Sequence, residues 1–193
     1  MREMISMIVV LTVLTAVSGG LLAAVKSGTE VRIENQVLKF QKAPAIKELF
    51  PKATNNPLAE RFTVKDGKTE WQIFPTKLPD GSKAIAFETH GIGFAGPVGL
   101  MVGINLKTDH IVGARVTTHS ETPGVGARAK DDPTFVSQFA GMSLDKKFAI
   151  KSDGGDIDGI SGATFTSKGV CVAARQAKEI YRKLKPEILK QIK

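Results

Sequence analysis

Cysteine is nearly absent from the 193-residue sequence, which contains only Cys171. A single cysteine excludes an intramolecular disulfide, and without any CxxC pattern there are no ligands for a cysteine-bound iron–sulfur cluster, a CxxCH haem or a cysteine-rich zinc site. His90, His110 and His119 show no metal-ligand spacing, so the sequence gives no support for a metal site. Cys171 itself lies in the apolar run 170–174, which is typical of a small buried residue rather than a reactive thiol.

Aromatic residues are also scarce, with one Trp, one Tyr and ten Phe. The formal net charge of +8 would suit nucleic acid, an anionic membrane surface or an acidic partner. Because no basic run is interleaved with stacking aromatic residues, we expect no nucleic-acid binding. The length allows one domain plus an appendage, and the balance of 42% hydrophobic and 24% charged residues is that of a folded protein.

Charge is missing altogether from residues 4–25. As an α-helix this segment would be roughly 33 Å long, which matches a membrane hydrocarbon core of about 30 Å. We therefore predict a transmembrane anchor over residues 1–26 that meets lipid through residues 4–25. A cleaved signal peptide is the alternative, supported by the small residues Ala23 and Ala24, but its apolar core is normally only about 7–15 residues long.

Basic residues give a weak indication of the anchor's orientation. Arg2 precedes the apolar segment, whereas Lys26, Arg32 and Lys39 follow it. The positive-inside rule would leave the C-terminal part in the cytoplasm, but long domains translocate largely regardless of charge.

The rest of the chain predicts an α+β fold, a mostly antiparallel β-sheet with flanking helices. A connecting segment, residues 27–69, alternates irregularly over 31–42 and contains a short helix at 45–50 that is ended by Pro51. The main domain covers residues 70–193. Asp-Gly turns between apolar segments indicate hairpins. The expected strands are residues 61–64, 69–74, 83–89, 98–106, 111–118 and 148–150, and a further helix is expected at 133–140.

An amphipathic helix is predicted at residues 168–185, because apolar residues recur there with helical spacing. Thr166 or Ser167 is expected to cap its N-terminus. Its polar face is expected to be solvated and carries Arg175, Lys178, Arg182 and Lys183.

Residues 91–96 fit the GxGxxG pattern of dinucleotide-binding folds. That fingerprint must open a helix and be followed by an acidic residue about 20 positions on. Here a strand-like run, residues 97–103, comes next, and Val116 occupies the acidic position. We therefore reject a dinucleotide site and expect a tight loop against which a flat ring can lie.

Two later stretches combine glycine with polar residues. Residues 121–126 form a rigid Pro-Gly turn whose exposed backbone N–H groups suit the carbonyls and ring nitrogens of a flavin, although a plain surface loop has the same composition. Residues 156–167 carry small residues and several hydroxyls just before the predicted helix. A helix N-terminus would stabilise a phosphate there, and a capped helix after a glycine-rich turn explains the pattern equally well.

Residues 158–164, Asp-Gly-Ile-Ser-Gly-Ala-Thr, resemble the flavinylation motif of FMN-binding domains, in which a flavin transferase moves FMN from FAD onto the threonine hydroxyl. Residues 121–126 are similar to the ETPGLG loop of that family, with Val125 in place of leucine, and residues 91–97 to its glycine-rich loop. The resemblance implies covalent FMN on Thr164, ring contacts by Glu121 and Thr122, and phosphate contacts from the backbone of residues 166–169. The implied cofactor site comprises Asp158, Gly159, Ser161, Gly162, Ala163, Thr164, Thr166, Ser167, Glu121, Thr122, Gly124, Val125 and Gly126.

The motif order, the chain length and the anchor together resemble the G subunits of Rnf electron-transport complexes, which have a larger relative in the C subunit of the sodium-pumping NADH:quinone oxidoreductase. The resemblance covers about residues 74–184 plus the anchor. It implies an electron carrier without a complete active site of its own, in a complex that couples electron transfer between ferredoxin and NAD to ion translocation. Its partners would be the other subunits, and its soluble domain would lie on the extracytoplasmic side of the inner membrane. The alternatives are a flavinylated electron carrier that is free-standing or similar to that C subunit, and a membrane-tethered binding module without flavin.

Overall fold

The computed structural model describes residues 1–67 and 69–192, and the chain divides into two units, residues 1–40 and 41–193. The first unit is built from the helix α1 (Arg2–Val37), which buries none of its side chains. Among the described residues, one helical stretch is long and apolar enough to cross a membrane, and α1 belongs to it. This agrees with the apolar segment predicted at residues 4–25.

The helix continues beyond the predicted anchor. The irregular alternation of residues 31–42 gives no sign of this: α1 runs to Val37 and is followed by a π-helical turn, Leu38–Lys42. Residues 29–43 contain neither glycine nor proline, so no residue there interrupts the backbone hydrogen bonds of the helix. The short helix predicted at residues 45–50 is confirmed as α2 (Ala43–Leu49).

The second unit is built on one five-stranded sheet in which each strand pairs antiparallel with the next, in the order β1-β2-β3-β4-β5. The predicted antiparallel sheet and the α+β class are thereby confirmed. Lys68, in the Asp-Gly turn between the strands expected at 61–64 and 69–74, lies outside the described residues. The strands are β1 (Phe62–Asp66), β2 (Thr69–Lys77), β3 (Lys83–Ile92), β4 (Pro97–Asn105) and β5 (Ile111–Val116).

Helices cover both faces of the sheet. On one face lies α5 (Thr164–Gln191), where the Thr89 hydroxyl of β3 donates a hydrogen bond to the Ala173 carbonyl at 2.9 Å. On the other face α2 packs over two glycines of β4 and β5. A Cβ on Gly103 would lie 2.9 Å from Phe50 Cζ, so glycine there makes room for the ring.

The last helix begins earlier than the sequence predicts, at Thr164 instead of residue 168. The predicted capping by Thr166 or Ser167 is wrong, because both lie inside the first turn and the N-cap position is Ala163. The polar face is largely exposed to solvent, as expected, and two of its residues form salt bridges. Arg182 pairs with Asp145, and Lys183 Nζ lies 2.6 Å from Asp66 Oδ1.

Two short helices, α3 (Arg128–Asp131) and α4 (Pro133–Ser137), follow β5. Asp132 caps α4 by accepting a 2.9 Å hydrogen bond from the Thr134 amide. The predicted helix at residues 133–140 is therefore confirmed but shorter. The strand predicted at residues 148–150 is wrong, because only Ile150 forms a bridge there, with Ile157.

Candidate functional site

Three glycine-bearing segments that are far apart in the sequence meet at one end of the sheet. Residues 93–96 form the loop of the β3–β4 hairpin, so the rejection of a dinucleotide-type helix after this loop is confirmed. Residues 117–127 lead from β5 to α3. Residues 156–163 lead into α5. Glu121 in the second segment touches both the first segment and the start of α5.

The Glu121 side chain ties these parts together with two hydrogen bonds. Its Oε1 accepts from the Ala95 amide at 2.9 Å, and its Oε2 accepts from the Thr166 hydroxyl at 2.6 Å. Glu121 and Thr166 are both buried, and 45 positions of sequence separate them. A buried polar side chain without partners costs about 1–3 kcal/mol, so these bonds hold the loop and the helix start in one arrangement.

Glycine is needed on both sides of this carboxylate. A Cβ on Gly93 would lie 2.5 Å from Glu121 Oε1, and a Cβ on Gly126 would lie 2.8 Å from Thr166 Oγ1 while overlapping the carboxylate itself. The small residues of the first two segments therefore let a carboxylate enter between them.

Beside this junction lies an open cleft of about 210 Å³. Its mouth carries large apolar side chains that are strongly exposed: Phe94 at 76% and Phe165 at 66%, with ring centroids 6.3 Å apart. Exposed apolar groups clustered around a cleft mark a binding surface. The lining residues are Phe94, Glu121, Thr122, Val125, Gly126, Gly162, Ala163, Thr164, Phe165 and Thr166.

Thr164 is the first residue of α5 and is exposed in the wall of the cleft. Within the part of the chain that the structure describes, its hydroxyl has no hydrogen-bond partner. The first amide of α5 to be used inside the helix is that of Ser167, which donates to the Ala163 carbonyl at 3.0 Å. The N–H groups of residues 164–166 are therefore the ones available to an anion, so of the residues 166–169 that the resemblance implies only residue 166 has a free amide.

Ser167 has a different role from the one expected. Its buried hydroxyl accepts from the Ile160 amide and donates to the Ala163 carbonyl, both at 2.9 Å. These bonds fold residues 160–163 into a turn against the helix start. Gly162 has a φ of +80° in this turn, a conformation that favours glycine.

The remaining predicted residues lie around the cleft instead of lining it. Asp158 is exposed, with its carboxylate 2.7 Å from Lys151 Nζ and its amide donating to Gln138 Oε1 at 2.7 Å. The other residues outside the cleft wall are Gly159, Ser161, Gly124 and Ser167.

Sequence reasoning missed Phe94 and Phe165 as walls of the cleft. Both are neighbours of predicted positions, since Phe165 follows Thr164 and Phe94 lies in the glycine-rich loop. A phenylalanine between small residues of a loop, or directly after residues that resemble the flavinylation motif, is the signal that could have identified them.

Comparison with known proteins agrees with this geometry. Residues 93–179 match the family model of the FMN-binding domain. Over 197 residues the chain is 34% identical to the G subunit of the ion-translocating oxidoreductase complex of Escherichia coli (strain K12), an alignment that covers 95% of this chain and 93% of the relative. The chain belongs to this family of G subunits. It is also 29% identical over 178 residues to the corresponding G subunit of Methanosarcina acetivorans, with 91% of this chain and 93% of the relative covered.

A crystal structure of the C subunit of Na(+)-translocating NADH-quinone reductase from Parabacteroides distasonis has a similar fold, with a TM-score of 0.50 and 28% identity. The match covers 59% of this chain and 62% of that chain, which is less than two thirds of its length. The family resemblance and the fold class predicted from the sequence are thus confirmed. FMN as the cofactor type is supported by the family model.

Proposed function

We propose that this protein is an electron-carrier subunit whose FMN is attached to Thr164 through a phosphoester. The observation that carries the proposal is the Thr164 hydroxyl, which is exposed, has no partner among the described residues and lies in the wall of the cleft. It belongs to a region that matches the FMN-binding domain. Among the described residues, no other hydroxyl near the cleft combines these properties with a position at the first turn of a long helix.

For attachment, a flavin transferase must reach the Thr164 hydroxyl. A flavin transferase would join Thr164 Oγ to the FMN phosphorus of FAD, and the pyrophosphate bond would break with AMP as the leaving group and loss of the hydroxyl proton. Residues 158, 159, 161 and 162 are exposed and leave room for such an enzyme around the acceptor.

The residues of the cleft fit FMN. The free N–H groups of residues 164–166 and the positive end of the α5 dipole suit a phosphate on Thr164. Phe94, Val125 and Phe165 offer apolar surface for a flat ring. FMN supplies the capacity to accept and donate electrons; the protein binds and orients it.

The cleft is too small to enclose the whole cofactor. Sites that bury a small molecule usually measure about 300–1,000 Å³, whereas this one measures about 210 Å³. A tethered ring would therefore keep part of its edge open to a partner. An open edge suits electron exchange with another protein, and a covalent tether prevents loss of a cofactor held on an open surface.

The partners of this protein would be the other subunits of a membrane complex. The relatives are named as subunits of ion-translocating oxidoreductase complexes, and 34% identity over 95% of the chain supports the same assembly here. We propose that the complex couples electron transfer between ferredoxin and NAD to ion movement. In this arrangement the helix α1 spans the inner membrane through residues 4–25, and the second unit lies on the extracytoplasmic side.

Attachment is tested by producing the full chain together with a flavin transferase and measuring flavin fluorescence in a denaturing gel and the intact mass. The wild-type chain should fluoresce and gain the mass of one FMN less one water, and Thr164→Ala should do neither. Thr122→Ala is the matched control, because Thr122 is another exposed hydroxyl in the same cleft, and it should label normally. Labelling of Thr164→Ala equal to wild type would move the attachment elsewhere. An unlabelled wild type with an active transferase would overturn covalent FMN.

Assembly and orientation need separate experiments. When a tagged chain is purified from membranes, the other subunits should copurify with it. If the chain purifies without them, a free-standing carrier is favoured. Alkaline phosphatase fused after residue 193 should be active, because that enzyme requires export, and an inactive but intact fusion would contradict the proposed orientation.

A further inference from the structure

Glu121 is the one carboxylate among the buried polar side chains of residues 1–67 and 69–192, with 6% of its surface exposed. The others are threonines and a serine. Charged groups are rarely buried unless they are paired, so this residue requires an explanation.

Glu121 makes one hydrogen bond through each of its carboxylate oxygens. The Ala95 amide can only donate, and the Thr166 hydroxyl lies 2.6 Å from the other oxygen, so both oxygens have a donor. Across the described residues, no lysine or arginine forms a salt bridge with Glu121. The Glu121 carboxylate is thus held by two hydrogen bonds and, among these residues, by no cation.

The position of this charge has two possible uses. α5 has no acidic residue in its first turn, so Glu121, bonded to Thr166 in that turn, supplies negative charge next to the helix N-terminus. Glu121 also lines the cleft that contains Thr164. The interaction of a buried charge with a neighbouring group is weakly screened, because the surrounding dielectric constant is low.

Resting on the proposed function, we propose that the buried Glu121 carboxylate sets the redox potential of the FMN in this cleft by opposing the arrival of electrons on it. A fixed negative charge beside the cofactor disfavours additional negative charge there, so it lowers the midpoint potential. It counters the helix N-terminus, whose positive end would otherwise raise that potential. Glu121 acts in this inference through its charge, and its hydrogen bonds keep the charge in position.

Replacing Glu121 by glutamine tests the charge separately from the hydrogen bonds. In Glu121→Gln the side-chain carbonyl can still accept from Ala95, and the amide NH₂ can donate to the Thr166 hydroxyl oxygen. The shape and both bonds are therefore kept while the charge is removed. Thr166→Val does the opposite, since it removes one hydrogen bond and leaves the carboxylate in place.

The experiment is a spectroelectrochemical titration, at one fixed pH, of the flavin-loaded full chain and of the two variants. Glu121→Gln should show a midpoint potential higher than wild type. Thr166→Val should show no comparable rise. An unchanged or lower potential in Glu121→Gln overturns the inference, and an equal rise in Thr166→Val also overturns it, because loop displacement would then be the cause. Glu121→Met is a second neutral variant that must shift the potential in the same direction, and thermal melts establish that each variant is folded.

Failure of this inference can be told apart from failure of the proposed function. Fluorescence of the denatured chain reports attachment independently of the potential, so a loaded protein with an unresponsive potential overturns only the role of Glu121. If no covalent flavin forms, the unmodified chain can be tested with free FMN. The ratio of the Kd values of oxidised FMN and dithionite-reduced FMN then gives the shift in midpoint potential that the protein causes. Glu121→Gln should then tighten binding of the reduced form relative to the oxidised form, and an unchanged ratio overturns the inference. Binding of neither form would overturn both proposals.

Discussion

Gly91 on β3 and Gly169 on α5 meet backbone to backbone. A Cβ on Gly169 would lie 2.6 Å from the Ile92 carbonyl oxygen, and a Cβ on Gly91 would overlap the Gly169 carbonyl. Only two glycines allow the helix to approach the strand so closely. This contact sets the distance between the start of α5 and the hairpin loop that carries Phe94, and hence the width of the cleft.

Gly91→Ala should therefore destabilise the domain. The new methyl group meets backbone atoms, which cannot rotate away, and overpacking of this kind costs about 1–3 kcal/mol or more. Gly159→Ala is the matched control, because its Cβ would meet nothing closer than 3.8 Å. Urea unfolding of both variants tests this, and equal midpoints for the two would contradict the tight contact.

Asp109 should make stability depend on acid pH. Burial raises the pKa of this carboxyl, but hydrogen bonds from Lys185 and Tyr181 outweigh it, and the net pKa is lowered. A lowered folded pKa means that the stabilisation is complete above the unfolded value of about 3.9 and is lost as the pH falls through the folded pKa. Asn tolerates the left-handed conformation found here, at φ 55°, so Asp109→Asn removes the charge without backbone strain.

The expected difference between wild type and Asp109→Asn is about 1 kcal/mol at neutral pH, kept small because the side chain is nearly half exposed and solvent screens it. The difference should be constant above about pH 5 and shrink below about pH 4. Unfolding free energies measured across this range check the prediction, and a difference that grows toward acid pH would contradict the sign.

Cys171 should be inert in the folded protein. It is 2% exposed, and burial raises the pKa of its thiol to about 11. At about pH 8 a reagent therefore cannot reach the sulfur, and the thiol is not ionised to the reactive thiolate. Since it is the only cysteine, labelling by a thiol reagent reports on this position alone. We expect slow labelling in buffer and rapid labelling in denaturant, and rapid labelling of native protein would contradict the packing of α5.

If FMN is attached to Thr164 as proposed, Phe94 should restrict its motion. It lines the cleft and is 76% exposed, so its ring is free to cover a flat cofactor. Phe94→Ala should lower the fluorescence anisotropy of the flavin without affecting attachment. Ile92→Ala provides the comparison, because Ile92 is similarly exposed at 73% but does not line the cleft, and its anisotropy should stay at the wild-type value. Equal anisotropy in wild type and Phe94→Ala would show that this ring does not hold the flavin.

The sheet could be predicted from the sequence because its signals are local. Apolar segments separated by turns identify neighbouring strands, with Asp-Gly in the first two connections, and each strand pairs with the next one along the chain. The length of α1 could not be predicted in this way. No side chain of α1 is buried, so its second half has no need of the apolar periodicity by which a packed helix is recognised.

The motifs of the site could also be recognised, but their arrangement could not. The contact of Glu121 with Thr166 spans 45 positions, and no local pattern predicts that a loop carboxylate will be buried against a helix. The capping prediction failed because both hydroxyls have other partners. Thr166 bonds to Glu121 across 45 positions, whereas Ser167 bonds locally, to Ile160 and Ala163.

The order of contacts along the chain has a consequence for biogenesis. The sheet closes through pairings between consecutive strands, whereas α5 bonds to β3 across 84 positions, from Thr89 to Ala173. During synthesis the sheet can therefore form before the C-terminal helix has emerged from the ribosome. A chain that stops short of α5 has every strand but lacks Thr164, the proposed acceptor, so such incomplete copies would not consume flavin in attachment.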